Sequence, residues 1–374
     1  MRVLFNSTVT GAPCDFLWQD GIIHTGDFET PYDWIFSFPG KRSKCIRSAS
    51  EAAGCDLVVT PCTPQAKFWK KHTQHPAWCR ILPKNDFRMH IEKQVKSVIE
   101  FLENDLNKYY LDQFQTQQRL IDFLQPSKVV NSSLSEHGFV PDCEGFVQVP
   151  SYDNAHSSTG RMTVRSGPRI LTLPKDQRGC IVSRWSDGIL VEVDFNALDA
   201  RVLSWITGHD SVPGDMYEWI GKSSGIDAPR SIIKEATLSA MYGMSKRNFA
   251  LRYQDMPDAV DLYEKVRSFM QVKELEERLS RQDPLRNAFG RHLSSTNARI
   301  SHHVQSSAVD VACSGFEWLV NQTDSDFCLP IFLIHDAIVL DIKKDYLGKI
   351  EEICKFGLLV PIIDQYFPVR IRRF

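Results

Sequence analysis

Two apolar runs in the C-terminal half constrain this chain more than any other feature, because each must be buried and each brings an aspartate with it. Ile189-Leu190-Val191-Glu192-Val193-Asp194-Phe195 is rich in β-branched residues and reads as a strand with its acid at the C-terminal end. Ile331-Phe332-Leu333-Ile334 and Ile338-Val339-Leu340-Asp341-Ile342 flank His335-Asp336-Ala337, which reads as a tight hairpin with an acid at its tip. Either aspartate alone is an ordinary strand-end or turn residue, since Asp is common in turns. Together they make two rigid strand ends that each present a carboxylate.

Elsewhere the hydrophobic period is that of helices. Ile91, Val95, Val98, Ile99, Leu102 and Leu106 recur at helical spacing with Glu, Lys and Asn between them, and the pattern continues to Leu124, which predicts a pair of amphipathic helices. Ala200 to Ile206, Arg230 to Leu279 and Ile300 to Leu319 are also helical in pattern, whereas Asn131 to Lys175 is polar and contains Gly. Over roughly the first 85 residues, short apolar runs broken by Gly and Pro suggest a small α/β or irregular module. The expected class is α+β, with several modules.

A chain of 374 residues with 43% hydrophobic content can bury a large core, as one big domain or a few closely packed ones. Its formal charge of −2 argues against a basic tail that clamps nucleic acid by charge alone, so any phosphate-binding surface must come from local clusters of Lys and Arg. The ten cysteines are scattered without a C-x-x-C pair and read neither as a zinc site nor as a disulfide framework, so a reducing cytoplasm is the expected location. No apolar run approaches the ~18 residues of a membrane helix, and Met1-Arg2-Val3-Leu4-Phe5 turns polar at once, unlike a signal peptide. No membrane partner is expected.

The paired acids suit one chemistry in particular. Phosphoryl transfer from a nucleoside triphosphate uses two divalent cations roughly 3.5–4 Å apart, and carboxylates on rigid strands are natural ligands for them. A second pattern points the same way. Arg230, Lys234, Leu238 and Tyr242 are spaced four apart, so on an α-helix they form one stripe that drifts ~40° per step. Arg230 and Lys234, near a helix start announced by Pro229, would hold a triphosphate where amides and dipole also favour anions, with Leu238 and Tyr242 facing sugar and base. Seen in isolation, the same stripe is a solvated basic edge beside a partly buried aromatic.

Several segments, in order, resemble the DNA polymerases of family A, the DNA polymerase I type. Val193-Asp194-Phe195-Asn196-Ala197-Leu198-Asp199-Ala200-Arg201 looks like their motif A, D-Y-S-Q-I-E-L-R. Arg230 through Tyr242-Gly243-Met244-Ser245 looks like motif B, R-x3-K-x7-Y-G, and Ile334-His335-Asp336-Ala337 looks like motif C, V-H-D-E. Ser158-Thr159-Gly160-Arg161-Met162 with Leu171-Thr172-Leu173-Pro174 is similar to the T-G-R-L…N-I-P element. Gln305-Ser306-Ser307-Ala308-Val309-Asp310 is similar to Q-G-T-A-A-D, and Gly290-Arg291 to the G-R pair before it. The match runs from Ser157 to Ile342, and five ordered motifs make coincidence a poor explanation.

The resemblance implies a right-hand architecture with an N-terminal module at 1–85, thumb helices at 86–135, an antiparallel palm sheet at 136–202 and 301–374, and helical fingers at 203–300. It implies a template-directed enzyme that uses two Mg²⁺ ions, for which Mn²⁺ substitutes, together with dNTPs and primer–template DNA. Residue by residue, Asp194 and Asp336 become catalytic metal ligands, with the Phe195 carbonyl as a further ligand. Arg230 and Lys234 grip the triphosphate, Lys234 counting among the catalytic residues, while Leu238, Tyr242 and Asp199 complete the nucleotide site. Arg161, Gln305, His335 and Arg291 meet the DNA; a hairpin histidine that only orders its turn is the bland reading of His335. The short length fits a phage or mobile-element enzyme in a bacterial host cytoplasm, monomeric, with a replication accessory protein as a further partner.

Three positions depart from the family. Asp199 stands where it has Glu, Leu238 where it has an aromatic, and Ala337 where it has an acid, and the last two drift toward single-subunit RNA polymerases. Loss of one methylene at Asp199 is expected to weaken ribonucleotide exclusion, by ~1–3 kcal/mol. In the N-terminal module, Asp27-Phe28-Glu29-Thr30 resembles the D-x-E-T start of proofreading exonucleases, and Asp56-Leu57-Val58-Val59 with Phe68-Trp69 resembles a second segment. That segment's Asn and Asp would fall near Cys62 and Ala66, so too few acids remain and no proofreading is expected. The rivals are a single-subunit RNA polymerase and a non-catalytic nucleic-acid binder, and the paired acids weigh against the binder.

Overall fold

A computed structural model describes residues 1–26, 28, 32–36, 78–130, 132–154, 157–209, 212, 214–254, 256, 258–282, 284–293 and 299–374. Contacts divide the chain into two units, Met1–Gln115 and Thr116–Phe374.

In the first unit, short β-prone runs separated by turns make strands β1 (Arg2–Phe5), β2 (Asp15–Gln19), β3 (Ile22–Gly26) and β4 (Trp34–Phe36), in the sheet order β3-β2-β1-β4. Strand β1 is antiparallel to β2 and parallel to β4, and its Val3 and Phe5 are fully buried. Helix α1 (Ser7–Thr10) follows β1; α2 (Trp78–Ile81) and α3 (Lys84–Glu103) come later, and α4 (Asp105–Phe123) begins in this unit and ends in the second. The helical period read from sequence is real, since α3 buries Ile91, Val95, Val98 and Leu102 on one side, and Asn104 in an extended conformation separates it from α4. Asp27, Glu29 and Thr30 lie outside the described residues, as do Asp56, Cys62, Ala66, Phe68 and Trp69. The strand that precedes Asp27, β3, is a solvent-exposed edge.

The second unit opens with short strands: β5 (Ser127–Val129), β6 (Phe146–Val147) and β9 (Ile181–Val182) form one small sheet, and β7 (Ser151–Asp153) pairs with β8 (Thr163–Ser166). Its centre is the sheet of β11 (Cys328–Ile334), β12 (Ala337–Lys343), β10 (Gly188–Phe195) and β15 (Val369–Arg373), in that order and antiparallel throughout. Between β10 and β11 come helices α5 (Leu198–Ile206), α6 (Met216–Ser223), α7 (Arg230–Met241), α8 (Lys246–Arg252), α9 (Ala259–Phe269), α10 (Val272–Ser280) and α11 (Arg299–Asn321). Helix α12 (Leu347–Ile353) and the hairpin β13 (Leu358–Val360) and β14 (Gln365–Phe367) complete the fold, which is α+β.

Antiparallel sheets often leave one face wet, but this one is covered on both, which explains the near-continuous apolar runs. Val191, Val193, Ile338 and Leu340 face a core shared with Val311, Ala312 and Phe316 of α11. Leu190, Phe332, Ile334 and Val339 point the other way, toward Val129, Phe139 and Val147. Gly315 lets α11 come close, because a Cβ there would sit 2.8 Å from the Phe195 ring. Among the described residues no helix is long and apolar enough to cross a membrane.

Candidate active site

Antiparallel pairing sets the two acids side by side. Asp194 is opposite Ala337 on one side and Arg370 on the other, and the Phe195 N–H donates to the Asp336 carbonyl at 3.1 Å. The hairpin tip turns through His335, whose φ of 54° is left-handed, and Ala197, with φ 52°, turns β10 sharply into α5. The backbone therefore fixes both carboxylates at one end of the sheet. Burial, then the neighbouring Asp336, pushes Asp194 up to about 6 against the pull of Arg372 and Arg370. Asp336 is also raised, by burial first and then by Asp199. Both carboxyls thus hold a proton more tightly than a free carboxyl does, chiefly because burial penalises the charged form.

Asp194 and Asp336 open onto a cleft of about 490 Å³ that Asp199, Arg230, Lys234 and Leu238 also line. Helix α7 contributes the last three because its other face is committed to the core: Ile233, Ala236, Thr237 and Ala240 are buried, which leaves the stripe four residues apart facing outward. Pro229 sits at the N-cap, just ahead of the first turn. Arg230 is already engaged, donating from Nε and Nη2 to Asp215 Oδ2 at 2.8 and 2.5 Å while its guanidinium lies 5.2 Å from the Tyr217 ring centre. Asp215 also caps α6, accepting from the Tyr217 and Glu218 amides at 3.0 Å. Burial pushes this carboxyl up, but Arg230 and the helix amides outweigh it and hold the group below its ordinary range. Lys234 and Arg370, which lines the same cleft, form no ion pair among the described residues.

A smaller cavity of about 80 Å³ adjoins this cleft through Leu198, Asp199 and Asp336, and its walls include Arg161, Gln305 and His335. Asp199 links the two spaces. Its Oδ2 accepts from the Tyr242 hydroxyl at 2.6 Å and lies 3.9 Å from the Arg161 guanidinium. Burial, then Asp199, pushes the Tyr242 phenol up to about 12, so it stays a donor at neutral pH.

One expectation changes on contact with the structure. Arg291, expected at the DNA, is only 1% exposed. It pairs with the fully buried Asp310 at 3.3 Å, and Asp310 also accepts from Asn287 and Gln117 at 2.7 and 2.9 Å. The guanidinium packs against Gly160, where a Cβ would meet it at 2.4 Å, so Arg291 supports the Thr159-Gly160-Arg161 turn from behind. The Phe195 side chain is internal, 5.2 Å from Phe316 and 6.4 Å from Phe367 between ring centres, whereas the metal-ligand expectation concerns its backbone carbonyl.

Sequence reading overlooked Asp215, Tyr217, Arg370 and Arg372. Asp215-x-x-Glu218 carries a helix-start signature, and Val369-Arg370-Ile371-Arg372 has the alternation of a strand, so both signals were present. Among the described residues no group of three or more His, Cys, Asp or Glu forms a ready-made metal cage. The pair Asp194 and Asp336 nonetheless fits a hard divalent cation, because its donors are oxygens, burial disfavours its bare charge, and it faces an open cleft.

No family model and no curated protein matches the sequence. Among solved structures, the chain is similar to the POL domain of Pol1 from M. smegmatis in complex with a DNA primer-template and dNTP, at 14% identity and a TM-score of 0.47. The alignment covers 87% of this chain and 63% of that one. At that score and identity the likeness assigns neither fold nor activity to this chain.

Proposed function

We propose that the chain is a template-directed DNA polymerase of the family A type, which extends a primer with dNTPs by two-metal phosphoryl transfer. One observation carries the reading: Asp194, Asp336, Asp199, Arg230, Lys234 and Leu238, chosen from sequence on separate grounds, line a single cleft. The central sheet then serves as palm, the helices between β10 and β11 as fingers, and α3 with α4 as thumb. Asp194 and Asp336 would hold Mg²⁺, which when bound supplies charge neutralisation at the reacting phosphate and activation of the attacking hydroxyl.

The chain's own groups do the rest. Lys234, with Arg230 once it leaves Asp215, offers charge-assisted hydrogen bonds to the triphosphate. Leu238 packs against the incoming sugar and base. Asp199, fixed by Tyr242, forms the floor beneath the sugar, and its short side chain motivates the proposal that ribonucleotides are excluded weakly. Arg161 and Gln305, in the adjoining cavity with His335, would meet the primer end and the minor-groove acceptors shared by all correct pairs.

Primer extension on a primed DNA template with Mg²⁺, with dNTPs and rNTPs in separate reactions and Asp336→Asn as control, tests this. Templated extension lost in the mutant is expected, with measurable rNTP use. Absence of extension with either nucleotide set would return the chain to the class of nucleic-acid binders.

A further inference from the structure

Strand β15 brings positive charge to the acid pair. Its register sets Arg372 opposite Glu192 and Arg370 opposite Asp194, and Glu192 and Asp194 share one face of β10. Arg372 Nη2 lies 2.6 Å from Glu192 Oε1 and 3.2 Å from Asp194 Oδ2, so one nitrogen bridges both carboxylates. Glu192 has a second cation, Arg178 at 3.9 Å, and the Arg372 side chain is 40% exposed, with room to withdraw toward solvent. Asp194 thus has its Oδ2 at an arginine, while the charge of Asp336 acts on the same carboxyl.

We propose that Arg372 is a resident counter-ion of the acid pair: it holds the Oδ2 side of Asp194 and weakens divalent-cation binding there. This rests on the reading of Asp194 and Asp336 as metal ligands. A cation that binds through Asp194 meets the positive charge of Arg372 within a few ångströms and must displace it or use the other oxygen. The acid pair therefore binds metal weakly by itself and depends on the phosphate oxygens of a bound nucleotide to complete the site.

The test is direct binding of Mn²⁺, followed by electron paramagnetic resonance without nucleotide, on the full chain. Arg372→Gln is expected to bind Mn²⁺ about tenfold more tightly, the scale for removing a partly solvated unit charge near a divalent ion. Arg372→Lys, which keeps the charge, should stay close to the wild type. Thermal unfolding checks that each variant is folded, and Arg372→Met, which keeps the packing of the stem, serves if the Gln variant is not. Unchanged or weaker binding in the charge-removing variants overturns the proposal. Asp336→Asn separates the two levels of inference: if it leaves Mn²⁺ binding untouched, the metal-ligand reading itself fails, and the counter-ion role with it.

Discussion

Without metal, the charge on Asp194 works against the fold, and removing it should stabilise the protein. In the folded state the carboxyl is pushed from an ordinary 3.8 to about 6, chiefly by burial. That is more than a hundredfold in proton affinity, about 3 kcal/mol at about 1.4 kcal/mol per tenfold. Because the folded group binds its proton more tightly than the unfolded one, the cost is fully present above about pH 6. It shrinks as pH falls toward 3.8, and is absent below that, where both states are protonated. Solvent screening of this half-buried group reduces the effect, so Asp194→Asn in EDTA at pH 7.5 should unfold later than the wild type by about 1–2 kcal/mol, roughly 2–8 °C for a unit of this size. The assay is urea and thermal denaturation at pH 7.5, 6 and 4, repeated with excess Mn²⁺, which should stabilise the wild type more than the mutant. A mutant no more stable at pH 7.5, or an advantage that persists undiminished at pH 4, would refute the reasoning.

Asp215→Asn keeps an N-cap acceptor but removes the charge that holds Arg230, so inorganic tripolyphosphate should bind several-fold more tightly by calorimetry, within the ~1.5–3 kcal/mol of a charge-assisted bond. Arg291→Met should destabilise by roughly 3–5 kcal/mol in urea denaturation, because it strands the buried Asp310 carboxylate. Gly315→Ala should cost about 1–3 kcal/mol by crowding the Phe195 ring, read as an earlier thermal transition.

Much of the candidate site was legible in the sequence because it is made of local patterns. Strand β10, the hairpin of β11 and β12 and the outward stripe of α7 each announce themselves locally, through a continuous apolar β-branched run or a spacing of four. What escaped depends on pairing between distant segments. Arg372 reaches Glu192 across 180 residues of chain, and nothing local in either segment reports that partner. Arg291 was placed at the DNA through its resemblance to a family motif, and its burial shows only when Asp310, Asn287 and Gln117 are found around one point. Asp215 carries a local cap signature, but its hold on Arg230 belongs to the tertiary structure.

The same separation shapes how the molecule assembles. Among the described residues seven helices lie between β10 and β11, and helices close through near neighbours, whereas β10 must wait for β12 and β15. Loops of such length slow the pairing of the sheet relative to the winding of the helices. On dilution from urea, helical circular dichroism should return ahead of Mn²⁺ binding, because the two acids become neighbours only when β10 and β12, far apart in the chain, have found each other.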